Sequence, residues 1–237
     1  MQPTIPKDIY GQPARSLVVG QFMSKVYLWM TLGLMLTGFV SYIVSTNENL
    51  LYMIASNKIL FWGLIIAQFG LVMFLSAGLN KINALTATSM FLLYAVLNGV
   101  TLSLFSLIYT QESIVSAFFT SATAFAGLSA FGFFTKRDLG PVGNFCTMGL
   151  FGLMGFAILS IFFPSMMGTM GSQIYGLVGI IVFAGLTAYD TQIIKNMAPT
   201  GGDSETHRKG AIMGALKLYL DFINLFLFIL RMQGRRK

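Results

Sequence analysis

Three observations predict an all-α integral membrane protein of seven transmembrane helices. The 237 residues are 55% hydrophobic and only 10% charged, with a mean hydropathy of +0.74, a balance typical of membrane proteins. Apolar runs of about 20 residues recur from residue 26 onward, each long enough to cross a ~30 Å hydrocarbon core as a helix. Short polar or charged links separate seven such runs. The chain therefore divides into an N-terminal arm (1–25), a seven-helix membrane domain (26–231) and a basic tail (232–237).

The first span, 26–45, opens with Tyr27 and Trp29, aromatics suited to the membrane interface. A polar connection with Asn47, Glu48, Asn49 and Lys58 leads to span two, 59–78, whose one strongly polar group is Gln68. Span three, 84–108, holds Tyr94, Asn98, Thr101 and Ser103, which must hydrogen-bond within the protein because lipid offers no partner. Span four, 113–134, carries Ala122, Ala126 and Ala130 at steps of four, and span five, 142–163, carries Gly149, Gly152 and Gly155. Both ladders are expected to be close helix contacts. Span six is 174–194 and span seven 211–231, joined by a polar link, Lys195–Gly210, expected to be a solvated loop with His207 on its surface.

With the N-terminus inside, the inward segments hold nine basic residues (Lys7, Arg15, Lys25, Lys81, Lys136, Arg137, Lys195, Arg208, Lys209) against Lys58 alone on the outward links. This bias predicts a cytoplasmic N-terminus. The tail breaks the pattern, because Arg231, Arg235, Arg236 and Lys237 lie outside if span seven crosses fully; a re-entrant last segment is the alternative. The net charge of +7 marks topology and no nucleic-acid partner, since the basic residues form no stripe with interleaved aromatics. The single cysteine, Cys146, makes no intrachain disulfide and reads as a small apolar packing residue.

Two acids interrupt the last two spans: Asp190 near the end of span six and Asp221 in the middle of span seven. A charged side chain near a bilayer centre costs about 2.5–3.5 kcal/mol or more, so it faces the protein interior and is a functional candidate by default. Two carboxylates in one low-dielectric pocket do not both ionise cheaply, so they tend to share a proton and titrate as a pair. That is the chemistry of a pH sensor. Calcium takes carboxylate, carbonyl and water oxygens, so the pair beside oxygens of Asn224, Thr187 or Tyr219 is a candidate transient calcium site. Lys217, four residues before Asp221, is positioned to pair with it on the same helix face. The competing reading makes Asp190 a helix-end cap and the Asp221–Lys217 pair a device of assembly.

The run GLTAYDTQ (185–192), followed about 30 residues on by LYLDFINLF (218–226), resembles the paired signature of the Bax inhibitor-type (transmembrane Bax inhibitor motif) family, and TKRDL (135–139) resembles its bacterial branch. The resemblance spans essentially the whole chain. It implies seven helices with the seventh near the centre of the bundle, a pH-responsive calcium leak, and a pH-sensing pair at Asp190 and Asp221. Family members also use a basic residue near the link between spans two and three to hold one aspartate. The residue at that place here is Lys81, whose ammonium lacks the planar fork of a guanidinium.

No enzyme is expected. There is one histidine, no H-E-x-x-H and no phosphate-binding glycine loop. An intramembrane aspartyl protease would use a shared proton too, but the sequence around the second acid, LYLD, departs from what such an enzyme needs. The expected function is a pH-sensitive calcium (cation) leak channel or transporter of a bacterial inner membrane, with calcium as the transported ion, no cofactor, and the bilayer and other membrane proteins as partners. The alternative is a non-conducting regulator that binds other membrane proteins, for example a membrane protease.

Overall fold

The structure, a computed structural model, describes residues 11–78, 82–198 and 204–237. Its described residues form α-helices α1 (Gly11–Thr46), α2 (Glu48–Ser56), α3 (Lys58–Gly78), α4 (Ala84–Ser103), α5 (Gln111–Phe134), α6 (Gly140–Phe162), α7 (Thr169–Asn196) and α8 (Ser204–Gln233). Seven of them are long and apolar enough to cross a membrane, and α2 is the exception. The protein is an all-α membrane protein, as the sequence predicts.

Three boundaries differ from expectation. α1 begins about four turns before residue 26 and sinks Phe22 and Met23 of the arm into the core. The polar connection after α1 is itself helical: Asn47 accepts from Leu50 N to start α2, and Asn57 accepts from Ile59 N and Leu60 N to start α3. These caps satisfy first-turn N–H groups that a helix cannot satisfy itself. The expected loop before span seven is largely helix too, since α8 starts at Ser204 and carries half-buried His207 on its first turns.

α8 occupies the centre, packed against α1, α4, α5 and α7, while α3 rests on α4 and α6 on α7. α7 and α8 run antiparallel in a register that sets Ile194 on Gly214, Phe228 on Gly179 and Met232 on Gly176. Tyr219 pins α8 to two neighbours. Thr37 of α1 donates its one hydroxyl hydrogen to Ala95 O of α4 at 2.9 Å, so the Tyr219 hydroxyl donates to Thr37 Oγ1 at 2.7 Å. Its ring meets Phe91 and Tyr94 edge-on.

Of the expected alanine ladder only Ala122 packs against the core. Ala126 and Ala130 are exposed, whereas Ala117, Ser121, Phe125 and Ser129, one position earlier in the turn, form the buried face of α5. Among the α6 glycines, Gly149 meets Val182 of α7, but Gly152 and Gly155 face open space. The contact on α7 is made instead by Gly143 under the Tyr189 ring, Cys146 on Gly185, and Gly149.

The polar groups of span three are satisfied locally. Asn98 donates to Tyr94 O, Thr101 to Leu97 O and Ser103 to Val100 O, while Gln68 of α3 reaches Leu97 O at 3.0 Å and Thr101 Oγ1 at 2.5 Å.

α8 is about 45 Å long at 1.5 Å per residue, more than a ~30 Å hydrocarbon core requires. It crosses the bundle completely. The tail then docks on the link between α4 and α5: Thr110 N donates to Arg235 O, Lys237 N to Ile108 O, and Arg235 N to Ser113 Oγ. The C-terminus therefore lies at the opposite end of the bundle from the α7–α8 connection, as a full crossing by α8 requires.

Candidate functional site: a buried acid pair with one ammonium

The run GLTAYDTQ is almost wholly accounted for by packing and hydrogen bonds. Gly185 admits Cys146 of α6, and Ala188 lies against Gly132 of α5, where any β-carbon would collide with the Ala188 carbonyl. The Tyr189 ring covers Gly143. Thr191 continues a hydroxyl chain, Tyr27 to Ser129 at 2.5 Å and Ser129 to Thr191 at 2.9 Å, tying α1, α5 and α7 together. Gln192 clamps the TKRDL link from both sides of its amide, accepting from Leu139 N at 2.9 Å and donating to Arg137 O at 2.8 Å. Lys195 closes the helix on Phe133 O at 2.6 Å. Around Asp190, Gly185, Ala188, Tyr189, Thr191 and Lys195 thus each meet another helix, and Gln192 meets the link between α5 and α6.

Asp190 sits about 9 Å from the C-terminal end of α7 and is 4% exposed. It is an interior residue of the helix and not an end cap. Lys217 lies level with it in the antiparallel register, and its ammonium bonds Asp190 Oδ1 at 2.8 Å. The expected pairing of Lys217 with Asp221 is therefore replaced by one across helices, because a lysine reaching along its own helix meets a carboxylate at the same height on α7 first. The lysine side chain is 41% exposed and its ammonium stands 5.7 Å from the centre of the Tyr189 ring.

Asp221, also 4% exposed, lies beside Asp190, near enough for the two carboxyls to hydrogen-bond. Its Oδ2 is buried with no hydrogen-bond partner among the described residues. The site therefore holds two acids, one ammonium and one unsatisfied oxygen. A buried polar atom left unpaired is costly, and one proton or one cation at that oxygen removes the cost.

Of the oxygens expected beside the pair, Tyr219 is directed away, to Thr37 of α1. Thr187 is fully buried one turn before Asp190 and donates to Phe183 O. Asn224, one turn after Asp221, donates its amide to Leu220 O and keeps its own carbonyl oxygen available. No group of three or more His, Cys, Asp or Glu is gathered as a metal cage among the described residues, so calcium would meet two carboxylates completed by neutral oxygens or water. Lys81 lies outside the described residues. The Tyr27–Ser129–Thr191 chain and the Gln192 clamp were not anticipated. Each joins residues from 53 to 102 positions apart in the chain, and local spacing carries no such signal.

The sequence model of the family described as "Inhibitor of apoptosis-promoting Bax1" matches residues 19–237. The chain is 44% identical over 232 residues to the inner membrane protein YbhL of Escherichia coli (strain K12), covering 97% of each. It is also 40% identical over 231 residues to an uncharacterized protein of Borreliella burgdorferi, covering 97% of this chain and 98% of that one. A third relative, an uncharacterized protein of Deinococcus radiodurans, is 38% identical over 218 residues, 92% of each chain.

Proposed function

The chain belongs to the Bax inhibitor-type family, and from that premise we propose that it is a calcium (cation) leak channel or transporter of the bacterial inner membrane, gated by pH through Asp190 and Asp221. The observation that supports this reading is the unpartnered Asp221 Oδ2, buried beside a second carboxylate. Lys217 neutralises one of the two acids. The second charge is supplied by a proton at low pH or by a permeating cation when that proton leaves. Occupancy by proton or cation thus alternates, and this exchange couples pH to conduction. The cytoplasmic side is assigned to the N-terminus by the basic bias of the links.

The test is calcium flux into liposomes containing the purified chain, at two pH values. Asp190→Asn and Asp221→Asn should each flatten or shift the pH profile, and the double variant should abolish the pH dependence. Parent-like profiles in all three variants would make the pair structural. If the parent passes no calcium, the non-conducting regulator is the better reading.

A further inference from the structure

The four basic residues that contradict the inward bias, Arg231, Arg235, Arg236 and Lys237, play no part in the acid-pair mechanism. The structure fixes them in place at the end of the bundle away from the α7–α8 connection. Gly234 passes so close to the Tyr109 ring that no side chain fits there, and the tail pairs in antiparallel fashion with Tyr109 through Arg236. The Lys237 ammonium donates to Ser106 O at 2.8 Å. Arg231 is spread over the Tyr175 ring at 5.0 Å, and its Nε donates to Ser172 Oγ at 3.2 Å.

Arg231 and Arg236 line one recess of about 370 Å³ with Ser172, Gln173, Thr169 and Met167. No carboxylate lines it. The ion pairs among the described residues, Lys209–Glu205 and Lys217–Asp190, both lie elsewhere. Two guanidiniums facing one polar recess repel each other unless an anion joins them, and a planar guanidinium fork suits phosphate oxygens. Below the recess, Met170, Ile174, Leu177 and Ile181 run down the outer face of α7 as an exposed apolar stripe, 53–75% exposed. A ligand that satisfies both features has a phosphate at the membrane interface and hydrocarbon below it.

We propose that this recess binds the headgroup of an anionic phospholipid, with Arg231 and Arg236 on the phosphate and an acyl chain along the α7 stripe. The tail's excess positive charge is then matched by lipid, which removes the conflict with the basic bias elsewhere. This site is independent of ion conduction and does not require it.

The experiment is binding of phosphatidylglycerol to the full chain, purified and delipidated in neutral detergent, read by native mass spectrometry. Phosphatidylethanolamine and inorganic phosphate are the comparison ligands. Phosphatidylglycerol should be retained in preference to both. Arg231→Gln with Arg236→Gln should weaken it roughly 30-fold, about fivefold for each basic residue removed near a membrane surface. Arg236→Gln alone, at an exposed tail position, should give about fivefold and guards against a folding defect in the double variant. Lys136→Gln with Arg137→Gln, the same charge change at the other end, should leave retention unchanged. Equal retention of the two lipids, or an equal loss from the Lys136 and Arg137 pair, would overturn the proposal. Inorganic phosphate that displaces the lipid at matched concentration would identify the recess as a site for soluble anions instead.

Discussion

α3 and α8 are both apolar enough to span a membrane, yet 6% of the apolar stretch of one and 72% of that of the other is buried. α3 shows Trp62, Ile66, Phe69 and Met73 to its surroundings and leans chiefly on α4 among the long helices. α8 is enclosed by four helices and carries Lys217, Asp221 and Asn224. Lipid and protein interior are equally apolar, so hydropathy identifies a crossing helix without placing it. Polar content places it, because only a helix surrounded by protein can find partners for buried polar groups.

The sharpest test of this difference is one substitution made in both regions. Gly132→Ala should collide with the Ala188 carbonyl, which is backbone and cannot swing aside, at a cost of about 3 kcal/mol, the upper end for overpacking. Gly63→Ala on α3 meets nothing within 4 Å and should be neutral or stabilise by up to ~1 kcal/mol through helix propensity. Thermal unfolding in detergent reads both, and equal effects would erase the distinction between the two regions.

Charge gives the next contrast. Lys217→Met leaves the Asp190–Asp221 pair without a cation. Because the lysine is partly exposed, the expected loss at pH 8 is discounted to about 1–2 kcal/mol from the larger cost of breaking a fully buried pair. The sign with pH follows from the charge: as pH falls a proton replaces the missing ammonium, so the deficit should shrink at pH 5. Lys58→Met, at the exposed start of α3, should change stability at neither pH. A Lys217 deficit that does not vary with pH would mean that the side chain contributes only packing.

Tyr219→Phe should cost about 1 kcal/mol, the net worth of one hydrogen bond. Thr37 keeps its own bond to Ala95 O, so no donor is stranded, and the ring contacts with Phe91 and Tyr94 remain. A loss of 3 kcal/mol or more in the same melting measurement would show that the hydroxyl organises more than the α1–α8 contact.

The seven spans and the two interior acids were legible in the sequence because the bilayer imposes one length and penalises charge so heavily that each exception stands out. Features settled between helices were not legible. The partner of Lys217 is Asp190 because α7 and α8 are antiparallel in a particular register, and helical spacing sees only the lysine's own helix. The Gln192 clamp and the Tyr27–Ser129–Thr191 chain have the same origin. α2 was hidden for another reason: its polar flanks, Asn47 and Asn57, read as loop residues but act as the caps that begin α2 and α3.

The misread face of α5 supplies the smallest expected effect. Two adjacent lines of this helix carry small residues at steps of four, Ala117, Ser121 and Ser129 with Phe125 between them on one and Ala122, Ala126 and Ala130 on the other, and either line could meet a neighbour. The first does so along its length, with Ala117 and Ser121 fully buried, whereas on the second only Ala122 packs against the core. Ala126 instead borders an open cleft between α1 and α5, along with Met23, Tyr27 and Ser129. Ala126→Leu should therefore change stability by no more than about 0.5 kcal/mol, as exposed substitutions do. Ser121→Leu should cost ~1–3 kcal/mol by overpacking a filled interface. Comparable losses from both, measured by thermal unfolding in detergent, would mean that the cleft beside Ala126 closes in the folded protein and that α1 and α5 touch along their length.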